Sequence, residues 1–405
     1  MGNDGEFYGT TSQGGLSGFG TVFRATTNGT LTTLVSFAKT NGGYPSGKLT
    51  LGGDGSLYGV TASGGSGDRG TVFRVATDGT LTTLATFANP DGTAPVAGLA
   101  LGGDGSLYGT TQYGGSGNGT VFKVTTNGVL TTLVQFADPD GTNPDAGLVP
   151  GDDGNFYGTT PYGGGLYGTV FRVTPNGSLT TLVNFNYADG AHPHARLTAG
   201  KDGNFYGTTE DGGMYDGGTL FRVTTDGTLD TLFNFYLTNG TAPVNLTMGS
   251  DGSFYGATKY GGSTGNGTLF RFTTNGTLTT LFNFAGTNGA NPSVAPLPGG
   301  DGNLYGTTFN GGSYGYGTAF RLTPDGTLTT LVNFAGPDGA YPSAQLILAK
   351  DGCLYGTTFY GGTPNYYGTL FQVTTNGTFT TVATFDKGNG AYPDAGLTPG
   401  SDGNL

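Results

Sequence analysis

The two histidines of this 405-residue chain lie close together, as His192 and His194 in the stretch "DGAHPHAR". Glu210, one of only two glutamates, follows in the Gly-rich stretch "EDGGMYDG" with Asp211 and Asp216. Imidazoles beside carboxylates can hold a metal ion or move a proton in acid–base catalysis, so His192, His194, Glu210 and Asp211 are the candidate catalytic or metal-binding residues. They also have a plainer reading, since His-Pro-His is an ordinary turn sequence and loop acids are usually solvated. A second set is aromatic. Tyr113, Tyr162, Tyr260, Tyr314 and Tyr360 lie in one class of Gly-rich stretch, and Tyr341 and Tyr392 in another. A Tyr ring covers the C–H face of a sugar while nearby Asn and Asp bond its hydroxyls, which makes these seven candidate ligand-binding residues. Against that, Tyr also packs Gly-rich loops, and the chain has no Trp. "DPDG" at Asp138 and "GDDG" at Asp152 resemble pieces of calcium loops without the remaining ligands. No cofactor is called for, and a bound cation such as calcium is the one the residues leave open. No Ser-His-Asp or Cys-His set, phosphate loop or dinucleotide fingerprint is present.

These residues are carried by a repeat. Asp-Gly-x-[Leu/Phe]-Tyr-Gly recurs from Asp54, Asp104, Asp153, Asp202, Asp251, Asp301 and Asp351, with a further copy at Asp4, so eight copies are spaced 49 or 50 residues apart. In the copy ending at Phe385, "AQLILA", "CLYGTTF", "TLFQVT" and "TFTTVATF" read as four short strands, A to D. "KDG" separates A from B, "YGGTPNYYG" separates B from C, and "TNG" separates C from D. Asp-Gly and Asn-Gly pairs, such as Asn28-Gly29 and Asp78-Gly79, predict two-residue type I′ hairpins and hence antiparallel neighbours. Four antiparallel strands in a unit of this length make one blade of a β-propeller. The expectation is an all-β, eight-bladed propeller forming a single domain over residues 1–405. The first copy lacks strand A, and a spare one, "DAGLTPG" from Asp394, follows the last. Asp394–Pro399 is therefore expected to pair antiparallel with Glu6–Thr11 and close the ring. "SDGNL" would then repeat the "NDGEF" turn.

Within strand C, the Phe series from Phe23 to Phe371 reads as inter-blade core. The neighbouring series Arg24, Arg74, Lys123, Arg172, Arg222, Arg271, Arg321 and Gln372 reads as cations paired with turn acids or carbonyls, in preference to an anion-binding ring. Cys353 stands where other copies carry Asn or Ser and reads as a small residue. The D–A connections all carry [Asp/Asn]-Gly-x-x-Pro and should share one face with the B–C loops. The D–A loop holding His192 and the B–C loop holding Glu210 should be neighbours there.

The units resemble the GloVer tandem-repeat family of bacterial proteins. The resemblance rests on Tyr-Gly-Thr-Thr, Gly-Gly, Gly-Thr-[Val/Leu/Ala]-Phe-[Arg/Lys/Gln] and Gly-Thr-[Leu/Phe]-Thr-Thr-[Leu/Val], as in "YGTTFNGGSYGYGTAFRLTPDGTLTTL" from Tyr305. It covers essentially the whole chain and implies an exported, extracellular or cell-surface protein. It implies no catalytic residue and no ligand.

A net charge of −12 disfavours nucleic acid as a partner. No apolar run is long enough to insert in a membrane, and a monomer is expected. Three functions compete: a non-catalytic binding or adhesion module for carbohydrate or another cell-surface ligand, a polysaccharide hydrolase or lyase using the His192/His194/Glu210 sector, and a structural scaffold.

Overall fold

The computed structural model describes residues 6–400; the turn copies at Asp4 and in "SDGNL" lie outside the described residues. Eight four-stranded antiparallel sheets form the eight blades of a propeller. The only helical elements among the described residues are two short 3-10 turns, Asn89–Asp91 and Asp138–Asp140. Blade 4 shows the pattern, with strands A to D at Val149–Pro150, Phe156–Thr160, Thr169–Val173 and Leu179–Asn184. Strand A is innermost, because A strands of successive blades bond one another across the blade boundaries. Thr50 Oγ1 of blade 2 donates to the Leu99 carbonyl of blade 3 at 2.7 Å, and Thr198 Oγ1 of blade 5 to the Leu246 carbonyl of blade 6 at 2.9 Å.

Strands B and C are buried on both faces, since each sheet lies between two others. The central contact is aromatic. A Phe just after strand D of one blade meets the strand C Phe of the next: Phe136 with Phe171 at 5.0 Å, Phe185 with Phe221 at 5.1 Å, and so on around the ring. The strand C ring lies across the Gly of Tyr-Gly-Thr-Thr on its own strand B. A Cβ on Gly158 would stand 2.6 Å from Phe171 Cζ, so this position must be Gly.

The rest of the motif is explained by the A–B turn. Asp153 Oδ1 accepts from the Asn155 amide at 3.1 Å, and its Oδ2 accepts from the Tyr157 hydroxyl at 2.8 Å. Burial and then this bond to Asp153 push the Tyr157 pKa up to about 12. The strand C cations serve the blades, as expected. Lys123 and Arg271 pair with the turn acids Asp104 and Asp251 at 2.7 and 2.8 Å, Arg222 pairs with Asp230, and Arg321 donates to the Thr375 carbonyl at 3.1 Å. Cys353 is a free thiol at a partly buried position.

The turn type differs from the sequence expectation. Gly29 adopts φ 95°, but Asn28 stays outside the left-handed region. The loop closes with Thr26 N donating to Thr30 O at 3.0 Å and Gly29 N to Thr26 O at 3.1 Å. This is a three-residue loop, a type I turn followed by a left-handed Gly, rather than type I′. The side chain of Asn28 accepts from Thr26 Oγ1, which holds the Asn in the turn without left-handed geometry.

The ring closes as expected. Thr398–Pro399 supplies strand A to the blade whose other strands are Glu6–Thr11, Thr21–Thr26 and Leu31–Ser36. The register is Phe7 with Pro399 and Tyr8 with Thr398, antiparallel. Regular pairing is confined to these two residues. Leu397 completes the cluster of Phe7, Phe23 and Phe385, and Phe23 meets Phe385 at 5.2 Å.

Two consequences are measurable. Gly158→Ala should cost about 1–3 kcal/mol by forcing the Phe171 ring aside, read by chemical denaturation; an unchanged midpoint contradicts this packing. Removing residues 391–405 takes Leu397 and the inner strand from the closing blade and should cost more than about 3 kcal/mol. A truncated chain that melts with the intact one would show that the closure contributes little.

Candidate functional site

One rule builds the loop face eight times. In most D–A loops the Asx side chain accepts from the amide three residues earlier, as Asn239 Oδ1 does from Tyr236 N at 2.9 Å. The following Gly packs on a buried Thr pair at the ends of strands B and C, such as Thr258 and Thr268, whose hydroxyls are 2.9 Å apart. The residue before Pro is left-handed in every loop: Tyr44, Ala94, Asn143, His192, Ala242, Asn291, Tyr341 and Tyr392 have φ between 52° and 59°. Pro disfavours helical backbone before it, and non-Gly residues rarely adopt positive φ, so this is a strained position. It is held by hydrogen bonds from loop to loop: His192 N donates to Tyr167 O at 3.0 Å, and Glu210 N to His192 O at 3.1 Å.

This arrangement brings the histidine and acid loops together. His192 Nδ1 lies 3.0 Å from Asp211 Oδ2. His194, two residues on, sits between two carboxylates: Nδ1 is 2.7 Å from Asp145 Oδ2, and Nε2 is 3.6 Å from Glu210 Oε2. Lys259 Nζ contacts Glu210 Oε1 at 3.0 Å. A chain Asp145–His194–Glu210–Lys259 thus crosses blades 4, 5 and 6. Tyr162 packs its ring edge-on against His192 at 5.2 Å and His194 at 6.0 Å. The hydrogen bond to Asp145 raises the His194 pKa; burial opposes the rise and the Glu210 charge adds to it. Burial works to raise the Glu210 pKa, but the bond to Lys259 and its charge outweigh it, leaving the carboxyl below its ordinary value. A carboxylate so held is a poor proton donor, whereas the Asp145 contact favours the protonated form of His194. The adjoining cavity, about 190 Å³ between His194, Glu210, Lys259, Asn245 and Ser293, is below the roughly 300 Å³ at which ligand pockets usually begin. Among the described residues no group of three or more His, Cys, Asp or Glu is arranged to hold a metal ion.

A second sector is aromatic. Tyr341 meets Phe309 at 5.1 Å and Tyr360 at 6.0 Å; Tyr392 meets Tyr360 at 5.3 Å and stacks on Phe359 at 5.4 Å. Three of the seven candidate tyrosines, Tyr341, Tyr360 and Tyr392, therefore share one aromatic group over blades 7, 8 and 1. Tyr162 belongs to the histidine sector instead. Tyr113, Tyr260 and Tyr314 are exposed elsewhere on the loops. Sequence reasoning missed Asp145, Lys259, Phe309 and Phe359. Asp145 and Lys259 lie 49 positions from His194 and Glu210 respectively. One repeat is the spacing at which equivalent positions of adjacent blades meet, and it could have found them.

Asp145→Asn should bring the His194 pKa down toward the ordinary imidazole value in an NMR titration. A raised imidazole pKa contributes stability below its unfolded value and loses it as pH rises through the folded value. The destabilisation by Asp145→Asn should therefore be larger at pH 6 than at pH 9. An unmoved His194 titration would contradict the assigned pair.

No curated protein matches the sequence. Among solved structures, the periplasmic gluconolactonase of Pseudomonas aeruginosa aligns with TM-score 0.52 at 20% identity, over 80% of this chain and 95% of that one. A putative 6-phosphogluconolactonase of Bacteroides fragilis aligns with TM-score 0.51 at 20% identity, over 85% of this chain and 98% of its own. A puromycin hydrolase aligns with TM-score 0.51 at 16% identity, over 86% and 55%. At these identities the likeness is one of fold alone. The Gloeobacter/Verrucomicrobia repeat model matches residues 1–199, 165–308 and 246–405, which together span the chain. With the match running through every unit, the chain belongs to the Gloeobacter/Verrucomicrobia repeat family.

Proposed function

We propose that the protein is a non-catalytic carbohydrate-binding propeller that acts as a monomer outside the cell or at its surface. The observation that carries this reading is the aromatic group Tyr341, Tyr360 and Tyr392 with Phe309 and Phe359 on the loop face. Tyr360 is 43% exposed, and Tyr341 and Tyr392 are half-buried against their neighbours. Partly buried rings lose little freedom on binding and offer both a flat apolar face and a hydroxyl, which suits a sugar ring. Across the face, Glu210, Asp211 and Lys259 offer hydrogen-bond partners for sugar hydroxyls. The charged groups there are already paired with one another and border a small cavity, which favours binding over turnover.

A second reading has two observations in its favour. His194 stands between two carboxylates, and a gluconolactonase and a puromycin hydrolase share the fold. In a hydrolase or lyase, His194 would be the proton donor.

Glycan arrays and pull-downs with cell-wall polysaccharide test both. Tyr341→Ala and Tyr392→Ala should each weaken retention by about 1 kcal/mol, while His194→Ala should leave it nearly intact. Retention of no glycan would overturn the binding reading. Polysaccharide turnover that disappears in His194→Ala and Glu210→Gln would establish the enzyme instead.

A further inference from the structure

The inner strands carry a feature that neither reading uses. Lys48 and Arg196 occupy the same place in their repeats, three residues after the loop Pro, in blades 2 and 5. Blades 3 and 4 place Gly98 and Gly147 at that level. With no side chain from the two intervening blades, a cavity of about 430 Å³ opens in the channel wall, lined by Lys48, Thr50, Gly98, Asp145, Gly147 and Arg196. The other side of the channel is filled: Gln345 Nε2 reaches from blade 8 to Thr247 Oγ1 of blade 6 at 3.0 Å and to the Ala295 carbonyl of blade 7 at 3.2 Å.

The two cations are solvent-accessible, yet burial pulls both pKa values below their ordinary range, and the Arg196 charge adds to the fall at Lys48. Accessibility to water together with loss of bulk solvation describes side chains in a narrow wet channel. Neither pairs with a carboxylate, and the same holds for Arg172, Lys201 and Arg321, which bond to carbonyls. Arg24, Lys39, Arg74, Lys123, Arg222, Lys259 and Arg271 all pair with carboxylates. The Arg196 guanidinium donates only to the Leu148 carbonyl, from Nη2 at 2.9 Å and Nε at 3.3 Å, and the Lys48 side chain makes no hydrogen bond or ion pair with any described residue. Asp145, the acid lining the cavity, is bonded to His194 through Oδ2, and its buried Oδ1 has no hydrogen-bond partner. Two neighbouring cations thus face one cavity whose single carboxylate, Asp145, forms an ion pair with neither, which leaves room for a further negative charge.

We infer that the channel cavity between Lys48 and Arg196 binds a small oxyanion, a carboxylate- or phosphate-bearing molecule no larger than a sugar acid. Arg196 presents the planar fork and Lys48 the point charge that recognise such groups. Gly98 and Gly147 leave the space between them. This site does not depend on the glycan reading of the loop face.

Calorimetric titration of the full chain at pH 7 with galacturonate, inorganic phosphate and, as the neutral control, glucose tests it. At least one anion should bind, more weakly as salt is raised, and glucose should not. Lys48→Met and Arg196→Met should each weaken binding by about tenfold, and the Lys48 pKa, followed by lysine NMR, should rise on saturation. Galacturonate alone assigns a carboxylate site, phosphate alone a phosphate site, and both a general oxyanion site. Tyr341→Ala should not change the result, which separates it from the glycan test. Should Arg196→Met fail to fold, Lys48→Met carries the comparison, because Lys48 holds nothing in place. Binding by neither anion, equal binding of glucose, or unchanged affinity in Lys48→Met overturns the proposal.

Discussion

The structure depends on one contact made eight times, in which the Phe that ends a blade sets its ring against the strand C Phe of the next. Ring centroids are 4.9 to 5.4 Å apart at every junction, including the one that joins the last blade to the first. Such pairs add about 0.5–1.5 kcal/mol beyond the area they bury. Their geometric effect is larger. Because the strand C ring sets its tip against a Gly of strand B, the same close contact is possible at each junction, and the repeat of that contact carries the ring back to its start. The eight buried clusters follow these junctions rather than the blades, so no blade has a core of its own.

With the junctions uniform, individuality is left to a few positions per blade: the residue before the loop Pro, those on the inner strand after it, and the first residues after strand B. The histidine sector, the aromatic sector and the channel cations all arise there. A Tyr, a His or an Ala before the Pro leaves the backbone unchanged, since hydrogen bonds to the adjoining loops determine φ. The inner strands are less uniform. Lys48 and Arg196 replace the Gly found in blades 3 and 4, and Gln345 spans two boundaries to fill the opposite wall.

Much of this was legible in the sequence. The period, the four strands, the Phe core, the role of the strand C cations and the closing strand all follow from patterns repeated in register. The adjacency of His192 and Asp211 followed from strand order alone. Turn geometry was not legible, because Asn-Gly suits both the two-residue and the three-residue hairpin, and only the hydrogen bonds distinguish them. Asp145 and Lys259 were hidden because each lies in another repeat and looks like an ordinary loop acid or surface lysine by itself. The aromatic sector was legible only in part. Composition identified Tyr341, Tyr360 and Tyr392 but could not say that they meet, or that Phe309 and Phe359 join them, while Tyr113, Tyr260 and Tyr314 remain apart.

The left-handed residue before each loop Pro has a consequence for how such a face changes over generations. Its strain is carried by the frame in all eight loops and does not vary with the side chain displayed. Each loop is thus a socket whose occupant one codon sets, and exchanging a whole repeat moves a socket with its neighbours intact. New ligand patterns can be composed by shuffling and point change around the dial, without refolding the protein that presents them.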